Sequence, residues 1–395
     1  MERIINAFKQ ITPKNLMSPI IFATLFLPAL LIKLHNKLKN KKLWLIAEEG
    51  DARDNGYYFF EYMNNKHKEI KCYYAISKKS KNYANFPYKD KSVSFGSIRH
   101  WLYYMSADLN ISSQKSGNPD PIFWYIIHVI FSAYNNRVFL QHGVTINNVE
   151  WLHYEKTKFK SFITATKKED EEIRKNFGYP DKSICLAGFS RWDKLKDDSD
   201  GKTILIMPTW RKYLGVKNNS IFNRTDFTHT DYYKKWNSLL NNKKLIRYIE
   251  KNNIKLCFYP HQNMQKLLSL FTTSSKNVSL LSMDNNISDA FNKSTLMITD
   301  YSSVLFDFAY LRKPAIYYQF DEDEYREKQY GKGHFDYRKD GFGPVITDET
   351  DLVDEIIDLM NTGIKQKYLK RIEKAFIFKH GNNSERIYNY LMKED

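Results

Sequence analysis

Short apolar runs of strand length recur along this chain, separated by helical patterns, and nearly every run stops on a polar signature. In the first half the runs are residues 43–47, which end on Glu48-Glu49-Gly50, then 71–76, 109–112, 137–140 and 162–165. Helical patterns lie between them at 55–64, 121–131 and 167–177. The second half repeats the habit. Residues 203–207 run into Pro208-Thr209, 255–259 into Pro260-His261, 296–299 into Asp300, and 315–318 toward Asp321. Strands that alternate with helices predict mostly parallel sheets, because parallel neighbours need a crossover connection. At 395 residues the chain exceeds one ordinary core, so two α/β domains are expected. We place them at 43–200 and 201–395, with Asp200-Gly201-Lys202 as the junction. The polar stretch 213–232 reads as a surface loop or a lid.

The segment 1–42 stands apart. Residues 15–32 carry no charge, are interrupted by Pro19 and Pro28, and precede Lys33, Lys37, Lys39, Lys41 and Lys42. The run is borderline in length for crossing a bilayer, and no small-residue cleavage site marks it as a removed signal. A short anchor, a helix lying in the membrane interface and a buried helix of the fold are all open readings. The lysines would sit on the cytoplasmic face and attract anionic lipid. Formal net charge is +16, which favours a membrane surface or a phosphate-rich substrate, although Lys-rich solvated faces explain part of it. No RNP-like motif is present, so nucleic acid is not expected. Cys72, Cys185 and Cys257 form no CxxC pair, which argues against a zinc site or a disulfide framework. No HExxH, EF-hand or Walker A pattern appears.

Ligands of parallel sheets sit outside the carboxyl ends of the strands, and the unusual residues fall there. Gln141-His142-Gly143 follows one strand, and an imidazole there suits general-base work. Pro260-His261 holds the same place in the second half. Pro208-Thr209-Trp210-Arg211 offers a planar guanidinium fork for phosphate. Gly188-Phe189-Ser190-Arg191-Trp192-Asp193 permits close backbone approach at Gly188, while Arg191 and Asp193 could pair with each other. In residues 298–308 a strand breaks into Asp300-Tyr301-Ser302-Ser303 and resumes as a helix containing Asp307. Hydroxyls at a helix start suit phosphate. Asp300 is equally a candidate helix cap. The bland alternatives are that the histidines only brace loops and that Arg211 only stacks on Trp210.

Taken in order, these motifs, with Asp54-Asn55-Gly56, Lys313-Pro314, Asp321 and Asn383-Ser384-Glu385-Arg386, resemble the CDP-glycerol glycerophosphotransferase family of teichoic-acid and capsule enzymes. The resemblance implies a GT-B fold: two Rossmann-like domains facing a cleft, with the nucleotide held by the C-terminal one. It implies transfer of glycerol phosphate from CDP-glycerol to a hydroxyl of a membrane-linked or polymeric, phosphate-rich acceptor, with release of CMP, at the cytoplasmic face of a bacterial membrane. CDP-ribitol is the close alternative donor. On that resemblance His142 is the general base, and His261 with Arg211 neutralises the pyrophosphate. Ser302 and Ser303 bind phosphate, and Asp300 and Asp307 lie near the nucleotide. Gly143, Gly188, Arg191, Asp193, Pro208 and Thr209 complete the substrate-binding set. No metal or other cofactor is expected. Gln262 stands where such proteins often have proline. A GT-B glycosyltransferase using a sugar nucleotide and a membrane-tethered binder of polyanions are the competing readings.

Overall fold

The computed structural model describes residues 12–214, 224–283, 285, 287–378 and 381–394. Its strands are β1 (Leu43–Gly50), β2 (Lys71–Ile76), β3 (Ser92–Ser94), β4 (Leu109–Ser112), β5 (Arg137–Phe139), β6 (Ser161–Thr164) and β7 (Ile184–Leu186) in the first half. The second half holds β8 (Thr203–Ile206), β9 (Lys255–Phe258), β10 (Val278–Leu280), β11 (Leu296–Thr299), β12 (Ala315–Tyr318) and β13 (Val345–Ile346). The main helices are α1 (Ser18–Leu38), α2 (Asn55–Lys66), α3 (Ile98–Ser106), α4 (Lys167–Asn176), α5 (Asp231–Leu240), α6 (Lys243–Lys251), α7 (Val304–Tyr310), α8 (Glu349–Thr362) and α9 (Asn383–Glu394).

Every strand pair is parallel. The first sheet runs β3-β2-β1-β4-β5-β6-β7 and the second β10-β9-β8-β11-β12-β13. Both have the doubly wound order of Rossmann-like units, with the direction reversing between the first and fourth strand of each. Central strands read as continuous apolar runs because helices cover both faces. Trp44, Ile46, Phe59, Phe60 and Tyr74 form the core on one side of the first sheet. Trp236 with Ile204, Leu256, Ile298 and Ile316 does so in the second. The strands that sequence periodicity misses are β3, β7, β10 and β13. All four are edge strands of two or three residues, too short to show a period.

The chain divides into two compact units, but not at one cut. The first takes in the residues up to Val144, Val149–Lys194 and α9; the second takes in Thr145–Asn148 and the residues from Leu195 up to α9. The expectation of a contiguous 201–395 domain is therefore corrected at its end. The start of α9 is held by Asp193, whose two carboxylate oxygens accept from the backbone N–H of Asn383 and Ser384, each at 2.8 Å. Residues 145–148 join the second unit because the Asn147 side chain accepts from Arg326 at 3.2 Å. The 213–232 expectation also changes. Residues 215–223 lie outside the described ones, but Arg224–His229 and α5 are helical, so Tyr232 belongs to a helix.

Within the first unit α1 lies against α3 and the helix Pro121–Ile130. Its inner residues Ile21, Phe22, Leu25, Ala29 and Ile32 join a cluster with Trp101, Phe123, Trp124 and Tyr134. Its outer face leaves Ile20, Leu27, Leu30, Leu31, Leu34 and Leu38 exposed.

Candidate active site

In the first unit His142 sits on a sharp turn after β5. Gln141 takes a left-handed backbone, φ 60°, which a non-glycine residue adopts only when its surroundings fix it. Those surroundings are visible. The buried Gln141 amide donates to the Ile163 carbonyl at 2.7 Å and to Glu169 at 3.1 Å. Asn55, at the start of α2, donates to the Gln141 carbonyl at 2.6 Å. Arg191 donates to the His142 carbonyl at 2.9 Å while its guanidinium pairs with Asp54 at 2.8 Å. The residue as a whole is exposed, although protein packs around its imidazole. Desolvation by the surrounding protein lowers its pKa below the ordinary value, with Asp54 and Glu49 pulling the other way and Arg191 adding to the decrease. Neutral imidazole, able to accept a proton, therefore dominates at neutral pH. Beneath Asp54, the buried Glu48 carboxyl is lifted to about 7 by desolvation and by the like charge of Asp54.

Several site expectations change role here. Arg191 pairs with Asp54 rather than with Asp193. Asp193 is spent on capping α9. Gly188 has φ +85°, and a Cβ there would run into the Asn383 amide, so this glycine serves the packing of α9. Gly143, beside His142, is partly buried.

In the second unit the segments after β8 and β11 meet at the point where the strand order reverses. The Thr209 backbone N–H donates to Asp300 at 2.8 Å. Arg211 pairs with Asp300 at 2.8 Å and with Asp321, after β12, at 2.9 Å. The guanidinium lies 4.9–5.2 Å from the ring centres of Tyr325, Tyr301 and Tyr232. Tyr301 stacks on Tyr325 with centroids 3.8 Å apart and donates to Asp321 at 3.2 Å. Burial works against the Arg211 charge, but Asp300 and Asp321 together hold its pKa well above the ordinary value. Arg211 and Asp300 are both 0% exposed. This corrects two expectations: Arg211 is neither a surface stack on Trp210 nor an open phosphate clamp, and Asp300 is not the helix cap, which is Ser303. Both act through the loops they fasten.

His261 follows β9. Its backbone N–H donates to the Pro208 carbonyl at 3.3 Å, and Pro208 itself is buried. The His261 Nδ1 accepts from the Asn263 N–H at 3.2 Å, which leaves the Nε2 position of the neutral ring as the donor. The ring also lies 6.0 Å from Trp210, nearly parallel to it. Ser302 and Ser303 are partly exposed at the start of α7, with the Ser302 hydroxyl accepting from Val304 N–H at 3.3 Å. Asp307 lies on the buried face of α7 at 6% exposure, which removes it from any open surface. Among the described residues, no group of three or more His, Cys, Asp or Glu is placed to hold a metal ion.

A family profile described as CDP-Glycerol:Poly(glycerophosphate) glycerophosphotransferase matches residues 29–393, across both units. The chain belongs to this glycerophosphotransferase family. The minor teichoic acid biosynthesis protein GgaB of Bacillus subtilis (strain 168) is 34% identical over 369 residues, covering 90% of this chain and 40% of that protein. A teichoic acid poly(glycerol phosphate) polymerase of the same organism is 22% identical over 445 residues, covering 100% of this chain and 54% of its own length. This chain thus spans about half, or less, of these relatives' length. Among solved structures, the wall teichoic acid polymerase TagF superposes with a TM-score of 0.64 at 18% identity, covering 98% of this chain and 97% of that one. At that identity the likeness establishes the GT-B-like fold alone.

The residues that sequence reasoning undervalued are the braces. Asn55 fixes the His142 turn, and Asp321, Tyr301 and Tyr325 enclose Arg211. Asn55 carries one signal in sequence, its place in Asp54-Asn55-Gly56 at the start of an aromatic-rich helix.

Proposed function

We propose that this chain transfers a polyol phosphate, with glycerol phosphate first in line, from its CDP-activated donor to a hydroxyl of a teichoic-acid-type acceptor. The acceptor oxygen attacks the phosphorus that carries the polyol. A new phosphodiester bond forms, the bond to the bridging oxygen breaks, and CMP leaves. His142 takes the acceptor proton. His261 donates from Nε2 toward the departing phosphate, and Ser302 and Ser303 hold phosphate oxygens. Arg211 positions the Thr209 and Tyr301 segments without touching substrate. Reactions of this kind need positioning and compensating charge more than covalent chemistry. The observation that carries the reading is the family match, which runs through both Rossmann-like units.

The test is a donor panel by calorimetry: CDP-glycerol, CDP-ribitol, CMP, and UDP- and GDP-sugars. Binding of a CDP-polyol, with weaker binding of CMP, is expected, and product analysis should find one new phosphodiester per CMP released. Binding of a sugar nucleotide alone would replace the reading with glycosyl transfer. Silence toward all nucleotides would favour a non-catalytic polyanion binder.

The reading extends to where the enzyme works, namely the cytoplasmic face of the membrane. α1 is 21 residues long with mean hydropathy 1.7 over its apolar window. One face is docked along α3, so the helix suits lying on a bilayer rather than crossing it. The outer leucines would enter the interface while Lys33, Lys37 and Lys39 meet anionic headgroups. Leu27→Glu with Leu31→Glu should reduce co-flotation with phosphatidylglycerol vesicles by at least about tenfold, while turnover on a soluble acceptor persists. Undiminished flotation of the double variant would remove α1 from membrane binding.

A further inference from the structure

The loop that leaves β4 lines a recess in the first unit that no step above uses. Tyr104, Asn110, Ser112, Lys115, Asn118 and Arg137 are among its lining residues. Its empty volume is about 220 Å³, including the open mouth, with room at depth for about one water-sized group.

Its charge is unusual. Arg137 is 8% exposed. It donates to the Thr157 carbonyl and lies 4.7 Å from the Phe159 ring centre, but its Nε has no partner. Lys115 sits between the rings of Tyr125 and Trp151, at 5.7 and 5.4 Å. The charged neighbours felt by Lys115 are both cations, Arg137 and Lys156, and with desolvation they lower its pKa. Lys156 has its own carboxylate, Glu150, at 3.2 Å. Among the described residues Arg137 and Lys115 have none. By contrast, Arg211 faces Asp300 and Asp321, and Arg191 faces Asp54. A buried cation without a counter-charge is costly, so the recess is built for an anion the chain does not itself supply.

Two acceptors complete it. The Asn110 amide nitrogen donates to the Tyr104 carbonyl at 2.9 Å and to Asn136 at 3.2 Å, which fixes the amide orientation and leaves its oxygen unpartnered. The Asn118 oxygen is unpartnered as well. Cationic donors beside amide acceptors match a group that carries both an oxyanion and a hydroxyl.

We propose that the open mouth of this recess binds a polyol phosphodiester unit of the acceptor, with the oxyanion at Lys115 and Arg137 and a single hydroxyl, the group its depth has room for, on Asn110 and Asn118. The proposal rests on the reading of the acceptor as a phosphate-linked polyol. It makes the recess an acceptor subsite of the first unit, formed by residues that no step above uses.

The test is calorimetric titration of the 395-residue chain with a synthetic glycerol phosphate oligomer, with inorganic phosphate and CDP-glycerol in parallel arms. Lys115→Ala should weaken the oligomer at least about tenfold and raise the acceptor KM with kcat unchanged, leaving CDP-glycerol affinity intact. Lys115→Gln, which keeps the stem that packs between the rings, should behave alike and serves if the alanine variant does not fold. Oligomer affinity unchanged in both variants overturns the subsite. Lys115-dependent binding of inorganic phosphate without binding of the oligomer assigns the recess to free phosphate and overturns it too. Loss of the CDP-glycerol arm alone would strike the proposed reaction, not this recess.

Discussion

Arg211→Ala should cost about 3–5 kcal/mol of stability, the range for removing one partner from a buried ion cluster. Asp300, buried completely, and Asp321 would then face each other without the cation that holds them. Asp300 also anchors the Thr209 N–H, and Asp321 accepts from Tyr301, so two loops loosen together. Arg211→Lys keeps one charge but loses the fork that reaches both carboxylates and the Thr209 carbonyl at 2.9 Å. A smaller but substantial loss is expected. Denaturant unfolding measures the effect. CDP-glycerol titration separates the roles: stability intact with donor affinity lost would return Arg211 to direct substrate contact.

His142→Ala is the complementary experiment. Loss of a general base should lower turnover by about 10²–10⁴, with CDP-glycerol affinity and unfolding midpoint close to wild type, since His142 is exposed and its turn is held through backbone groups. The pH dependence carries a sign. The folded pKa of His142 lies below the ordinary 6.5, so the base is free above that pH, and the acid limb of kcat/KM should fall only as pH drops below about 6.5. In the variant that limb should disappear. Wild-type turnover with the limb preserved would take His142 out of the reaction.

Much of the architecture was legible in the residues. Central strands such as β8, β11 and β12 announce themselves because apolar side chains must fill both faces of a covered parallel sheet. Their polar stops mark the crevice ends. The ordered motifs carried the resemblance to the family, and several of them stand at these strand ends. Edge strands were not legible, because two or three residues carry no period. Neither was the place of α9, which depends on Asp193 and Asn383, 190 positions apart, meeting as helix and cap.

The site divides along the same line. Sequence alone determined which residue types stand at strand ends, since turn chemistry and hydrophobic period are local. Only the tertiary structure decided which of them remain open. His142 is exposed on a turn that Asn55, Gln141 and Arg191 hold in place, while Arg211 and Asp300, equally suggestive in sequence, neutralise each other out of reach of solvent. Lys115 and Arg137 carried no signal in the chain. Their meaning lies in what is missing around them, a counter-charge, and that is a property of three-dimensional neighbours: burial multiplies the cost of a lone charge, and burial is set by packing rather than by local sequence.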